Sequence, residues 1–281
     1  MNLNPCLFPL PDLNGKVAIV TGSSRGIGKA IAMRLAEANC AVVVAAKSEN
    51  SRESLPGSIH QTVLDIEAAG GQAVAVRTNL RKEEDIEAMI GTALDSFGRL
   101  DILVNNAGAL WMAPLSQTPA KRFDLVHEVN VRAAFLSAQL AANSMTDGGW
   151  IITVSPPLDT SFLPGKVAYG ISKLSQTLMT IGLGPELIDA GIATVSLWPA
   201  TMVESQATIN HGMGTRDMWR RPEIMADATL ALLAADSAVI AGKAFLDEEA
   251  LALANVLDLA PYNCVEGGTP FRIVGEVKWP S

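Results

Sequence analysis

Val17-Ala18-Ile19-Val20-Thr21-Gly22-Ser23-Ser24-Arg25-Gly26-Ile27-Gly28 is the stretch whose reading decides the fold. Val17–Val20 is apolar throughout and reads as a buried strand, and Gly26–Ala38 carries helical apolar spacing. The glycines between them serve a tight turn, close backbone approach to a pyrophosphate, and close helix–sheet packing. Phosphate oxygens then rest on the N-terminus of the helix, where unpaired amides and the helix dipole favour negative charge. Gly22, Ser24, Arg25, Gly26, Ile27 and Gly28 are therefore candidate cofactor-binding residues.

Outward from this junction, strand-length apolar runs alternate with helix-length periodic segments. Strands are expected at Ala41–Ala45, Ala73–Arg77, Ile102–Asn105, Trp150–Ser155, Ala193–Trp198 and Gly242–Leu246. Helices are expected around Ile59–Ala69 and at Glu83–Phe97, Lys121–Asn143, Ala168–Ile188 and Pro222–Ala235. Strands apolar on both faces, each followed by a helix, mean a parallel sheet covered on both sides. The expected fold class is α/β: a Rossmann-type doubly wound parallel sheet forming a single dinucleotide-binding domain over residues 1–281. Two segments break the alternation: a Met-, Thr- and Gly-rich stretch over 199–221, expected to form a lid, and an irregular tail over 255–281.

Composition excludes several classes. The 281 residues are 49% hydrophobic and 18% charged, enough for a large core, and the formal net charge is −8. An acidic chain without a basic stripe is a poor partner for nucleic acid or an anionic membrane surface. No run nears the ~18 apolar residues that span a bilayer, and no secretory leader pattern opens the chain. Cys6, Cys40 and Cys264 show no ligand or disulfide spacing, and only His60, His127 and His211 are present, so no metal site is expected. The default location is cytoplasmic.

Two further motifs follow. Asn105-Asn106-Ala107-Gly108 comes directly after the fourth strand, and Tyr169-Gly170-Ile171-Ser172-Lys173 lies on an expected helix. A spacing of four puts Tyr169 and Lys173 on one helix face. An ammonium beside a phenol favours phenolate and lowers its pKa from ~10 toward neutrality. That makes a general acid/base for a carbinol oxygen. Together with the TGxxxGxG spacing, these motifs make the chain resemble the short-chain dehydrogenase/reductase family over essentially Leu13 to Leu246. Ala45-Ala46-Lys47, Ser155-Pro156-Pro157-Leu158, Trp198-Pro199 and Arg221–Ala228 are similar to its hydroxysteroid-dehydrogenase-like branch.

The resemblance implies roles residue by residue. Tyr169 is the acid/base, and Lys173 binds the nicotinamide ribose. Asn130 is the asparagine that holds a water in the proton relay. Asn106, Ala107, Gly108, Asn79, Pro199 and Thr201 line the cofactor. The family's serine usually lies thirteen residues before the tyrosine, where this chain has Pro156. Ser155 is one residue early, and in a regular strand that offset reverses the side chain's face. Either the prolines swing Ser155 into the site, or its role is lost or passes to Thr153 or a loop residue. The second strand ends Ala46-Lys47-Ser48 rather than on an acidic residue. NAD enzymes usually carry that acid for the ribose 2′-hydroxyl. Lys47 with Arg25 suits a 2′-phosphate, so NADP(H) is expected over NAD(H).

Met202, Ile209, Met213, Met218 and Trp219, with Leu110, Trp111 and Phe162, are candidates for an apolar wall. They then select a lipophilic alcohol, aldehyde or ketone over a sugar; otherwise they are core or subunit-interface residues. The resemblance also implies a homodimer or homotetramer paired through two long helices. The rival readings are a non-catalytic NADP-binding sensor or scaffold, and a redox-neutral isomerase or lyase using the same tyrosine.

Overall fold

A computed structural model describes residues 3–156 and 163–274. Phe162 and the Pro157-Leu158 pair of the branch-like motif lie outside the described residues. Seven strands form one sheet in the order β3-β2-β1-β4-β5-β6-β7. They are β1 Val17–Thr21, β2 Ala41–Ala46, β3 Ala73–Arg77, β4 Ile102–Asn105, β5 Gly149–Val154, β6 Ile192–Trp198 and β7 Lys243–Leu246. Every pairing is parallel. The order reverses between β1 and β4, and in open α/β sheets ligands bind at such a switch point, beyond the carboxyl ends of the strands.

Helices cover both faces. α1 (Gly26–Glu37) and α2 (Ile59–Ala68) are followed by α3 (Glu83–Phe97), α4 (Ala120–His127), α5 (Ala133–Ser144) and α6 (Val167–Leu187). The short α7 (Gln206–Asn210) precedes α8 (Glu223–Ala234), α9 (Ser237–Ile240) and α10 (Asp247–Leu253). Ala18, Val20, Val42, Val44, Ile152 and Val195 pack on one face with Ile31 and Leu35 of α1 and Leu230 of α8. Val17, Ile19, Val43, Leu103 and Ile151 pack on the other with Met89 of α3 and Ala138 of α5. Alternate residues of each strand thus feed opposite cores, which is why the strands read as unbroken apolar runs.

The long helix expected over Lys121–Asn143 is interrupted. Residues Glu128–Arg132 form a π-helical turn between α4 and α5, with Asn130 buried at its centre. Such turns insert one residue into a helix and often mark functional positions. The amide of Asn130 explains it: Oδ1 accepts from Ala109 N at 2.7 Å, while Nδ2 donates to Ala109 O at 3.0 Å and Ser172 Oγ at 2.9 Å.

The tail, expected to be irregular, is stitched to the lid segment as far as it is described. Met202 N donates to Phe271 O (2.9 Å), Ile273 N to Ala200 O (2.9 Å), Phe271 N to Met218 O (2.9 Å) and Arg221 N to Tyr262 O (2.7 Å). At the root of this seam Asp247 is fully buried. Its Oδ1 accepts from Ala200 N (2.9 Å) and Glu248 N (2.8 Å), while Oδ2 has no partner among the described residues. Burial pushes this carboxyl up to about 6, against the smaller opposing pull of the Ala200 amide and Arg220. A carboxyl raised on folding favours the protonated form, so its contribution to stability falls as pH rises from about 4 through 6. Asp247→Asn is therefore expected to gain stability relative to the parent chain across that interval and to show little pH-dependent difference below it. Paired urea titrations at pH 4, 6 and 8 check this; a difference independent of pH contradicts it.

Candidate active site

The loop after β1 is built around Thr21. Its Oγ1 accepts from Asn106 N (3.0 Å) and Ala107 N (3.1 Å), and Asn106 Nδ2 returns a bond to Thr21 O (2.8 Å). The two glycine-bearing loops are thereby locked together. Gly22 needs its positive φ of 70°, and a Cβ there would lie 2.9 Å from Ala107 Cα. A Cβ on Gly28 would run into Asn106 Nδ2 and the Gly22 carbonyl, so this glycine serves helix–loop packing. Helix α1 begins after Arg25 with no side-chain cap and no acidic residue in its first turn. Its leading amides are thus left for an external acceptor.

A cleft of about 300 Å³ opens above these loops and is lined by Gly22, Ser24, Arg25, Lys47, Asn79, Asn106, Ala107 and Gly108, all singled out in the sequence. A second hollow of about 390 Å³ shares Arg25, Lys47 and Ser48 and adds Arg52 and Arg77. The end of β2 contributes Ala45 and Ala46 and no carboxylate. Arg25 has a further task. Its Nε donates to Pro56 O (2.8 Å) and Nη2 to Gly57 O (2.9 Å), holding the 55–57 loop against the glycine turn. Lys47 is exposed and makes no ion pair among the described residues. The cleft and the uncapped helix start fit a dinucleotide.

Lys173 reaches the Gly108 loop that lines the same cleft. Lys173 is buried, and its Nζ donates to Val154 O (2.8 Å) and Gln176 Oε1 (2.9 Å). A Cβ on Gly108 would lie 3.7 Å from Lys173 Nζ and 3.5 Å from Asn130 Oδ1. The α6 lysine, the π-turn asparagine and the glycine lining the cleft therefore meet at one point. Tyr169, one turn before Lys173, is partly exposed. Burial pushes its phenol up, and burial alone pulls Lys173 down to about 7. The lowering of the phenol expected from sequence is outweighed by desolvation, and Lys173 directs its hydrogen bonds at Val154 and Gln176.

Ser155 is fully buried at the end of β5, where its Oγ pairs with Ser196 Oγ of β6 at 2.8 Å. Neither that bond nor its longer one to Thr153 O (3.5 Å) points it toward Tyr169. Thr153 Oγ1 is buried as well and has no partner. Pro199 and Thr201 leave β6 beside Trp198, whose ring centroid is 5.8 Å from Lys173 Nζ. Both are buried, and the Thr201 hydroxyl is unpartnered.

The short chain dehydrogenase family model matches residues 16–213. The chain belongs to that family. Among curated proteins it is 36% identical over 263 residues to hydroxysteroid dehydrogenase-like protein 2 of Xenopus tropicalis, covering 92% of this chain and 62% of that protein. It is 34% identical over 225 residues to the human protein of the same name, covering 78% of this chain and 54% of that one. The chain thus spans only part of the length of these relatives. Among solved structures, a short chain dehydrogenase from Mycobacterium thermoresistibile superposes with a TM-score of 0.87 at 35% identity, over 95% of this chain and 98% of that one. A short chain dehydrogenase from Burkholderia cenocepacia in complex with NADP superposes with a TM-score of 0.73 at 29% identity, over 84% and 97%.

Within this short chain dehydrogenase, two site residues escaped the sequence reading. Ser205 caps α7 and lies 3.7 Å from where a Cβ on Gly26 would sit, so it closes over the phosphate-side turn. Its Ser-x-x-Thr spacing with Thr208, which forms a capping box, was the available signal. Gln176 was marked by a polar side chain one turn beyond Lys173 on a helix face that turns inward. Of the expected lid wall, Trp219 is buried at 5% exposure and donates from Nε1 to Met213 O (2.8 Å). It is a strut within the lid rather than an exposed wall. Ile209, by contrast, is exposed. No helix among the described residues is long and apolar enough to cross a membrane.

Proposed function

We propose that this short chain dehydrogenase interconverts a lipophilic alcohol and its aldehyde or ketone, with NADP(H) as hydride carrier and Tyr169 as general acid/base. The meeting of Lys173 Nζ, Asn130 and Gly108 carries the reading, because it brings the tyrosine–lysine helix to the dinucleotide cleft. Bound cofactor supplies or accepts the hydride. In reduction Tyr169 gives its phenolic proton to the carbonyl oxygen; in oxidation it takes the carbinol proton. A phenol held neutral by burial is in the donating form at neutral pH, and Lys173 stabilises the phenolate left behind. Asn130 fixes the Ala109 backbone to Ser172 of α6. Ser155 takes a positioning role at the β5–β6 seam, since its hydroxyl has to leave Ser196 before it can meet a substrate.

The lipophilic preference rests on the apolar residues at the carboxyl edge of the sheet, including the exposed Met112, Leu115, Ile209 and Phe271. A panel of medium-chain, aromatic and sugar carbonyls followed at 340 nm with NADPH tests it. Turnover confined to sugars removes the substrate class, while NADPH binding without turnover favours the sensor reading. For cofactor choice, Lys47→Ala is expected to weaken NADPH binding roughly tenfold, the loss of one charge-assisted bond, and to leave NADH binding nearly unchanged. Equal effects on both in fluorescence titrations contradict a 2′-phosphate contact. A homodimer or homotetramer through α4, α5 and α6 belongs to the same reading. It is supported by the exposed Phe123, Phe135, Ile171 and Leu178 on those helices, and a cytoplasmic location goes with it.

A further inference from the structure

Helix α6 places Gln176 three residues after Lys173, on the same helix face. Gln176 is buried, with 1% of its surface exposed. Its Oε1 accepts from Lys173 Nζ at 2.9 Å, and its Nε2 is buried with no partner among the described residues. An apolar side chain of the same size would fill this place without an orphaned amide, so the carbonyl end needs a reason.

The surroundings of Lys173 supply one. From β5 it meets the Val154 carbonyl, from β6 the Trp198 ring, and from the loop after β4 Gly108, beside which Asn130 of the π turn also lies. Tyr169 is the titratable neighbour on its own helix. Among the described residues no carboxylate or second cation from these elements acts on it, and burial lowers it to about 7. An ammonium has three N–H donors. Val154 O and Gln176 Oε1 take two, which leaves one for the cleft side.

Building on the oxidoreductase reading, we propose that Gln176 is a positioning residue whose carbonyl oxygen keeps Lys173 protonated and directs its remaining N–H toward the cofactor ribose and Tyr169. Hydrogen bonding to the charged form of a group favours that form. Without the amide oxygen, a buried ammonium that is only half-populated near neutrality loses its proton. The phenolate formed after proton donation then has no countercharge.

The test uses the full chain with Gln176→Met, which removes the acceptor at nearly constant volume, and Gln176→Glu, which keeps an acceptor and adds charge. Titration of ¹³Cε-labelled lysine by NMR, with Lys173 assigned through Lys173→Arg, reads the ammonium directly and needs neither cofactor nor turnover. The Lys173 midpoint is expected near 7 in the parent chain. It should fall by about one pH unit, a tenfold change in charged fraction, in Gln176→Met and rise in Gln176→Glu. In carbonyl reduction at pH 7.5, Gln176→Met should lose about tenfold in kcat with little change in KM for the carbonyl, recover at lower pH, and be rescued by Gln176→Glu. An unmoved midpoint in a folded Gln176→Met overturns the proposal. If that variant does not fold, an unmoved or lowered midpoint in Gln176→Glu overturns it instead. A shifted midpoint in a chain whose parent shows no carbonyl or alcohol turnover leaves the Gln176 assignment standing and removes the oxidoreductase reading.

Discussion

Tyr169→Phe is expected to lower kcat for carbonyl reduction by about 10²–10⁴-fold, the usual worth of a positioned general acid, while NADPH binding changes little. The substitution keeps the ring and removes one oxygen, so the packing of α6 is preserved. The proton that neutralises the developing alkoxide then has to come from water. The surrounding protein pushes the Tyr169 phenol up, so the parent enzyme enters reduction with its donor proton in place. The reverse reaction needs phenolate, and alcohol oxidation should climb steadily toward alkaline pH. Steady-state rates at 340 nm beside NADPH fluorescence titrations separate the outcomes. A variant within tenfold of the parent rate sinks the proton-transfer assignment. One that loses NADPH affinity and activity together makes Tyr169 a binding group.

Asp227→Ala is expected to destabilise the chain by about 3 kcal/mol, the lower end for breaking a buried ion pair, because Arg34 Nη1 keeps its second carboxylate, Glu37 Oε2, at 2.6 Å. Arg34 of α1 and Asp227 of α8 are both buried, with Nε 2.7 Å from Oδ1. Tyr262 donates to the other carboxylate oxygen at 2.8 Å, and Arg34 also binds Asn4 O at 2.7 Å. Burial holds the Asp227 carboxyl above its usual range even with the guanidinium beside it. A double replacement, Arg34→Met with Asp227→Leu, removes both charges and should recover most of the loss. Urea unfolding of the parent and the two variants decides; an Asp227→Ala chain as stable as the parent means the pair is solvated. Neither residue lines the dinucleotide cleft or bonds to Lys173, so residual activity of folded Asp227→Ala should match the parent.

The sheet was legible because each strand is buried on both faces and each helix repeats its apolar positions, signals carried within short windows. The glycine turn was legible through its short fixed spacing between strand and helix, although the contacts that demand Gly22 and Gly28 include Asn106 and Ala107 of the distant loop after β4. What stayed hidden depends on residues far apart in the chain. Asn130 looked like an awkward residue in a continuous helix, and only its bonds to Ala109 and Ser172 show that the helix swells to accommodate it. Ser155 could be placed on either face by sequence, because its direction is set by Ser196, forty-one positions later. Arg25 read as a phosphate ligand, yet two of its nitrogens hold carbonyls of a loop about thirty residues on. The tail has no long internal periodicity because, beyond short turns such as Tyr262 N to Leu259 O and Gly268 N to Val265 O, its backbone bonds are made to the 200–221 segment.

That last pairing has a mechanical meaning. Residues 200–204, 218–221 and 262–273 exchange main-chain bonds in a three-way lattice, with Glu204 N on Arg220 O (2.8 Å) and Cys264 N on Trp219 O (3.0 Å) completing it. No member can swing out alone: disengaging one ruptures bonds of the other two. The three strands of chain are therefore expected to open together, and the amides of Met202, Phe271 and Ile273 should trade deuterium with a common protection factor, as a single cooperative block.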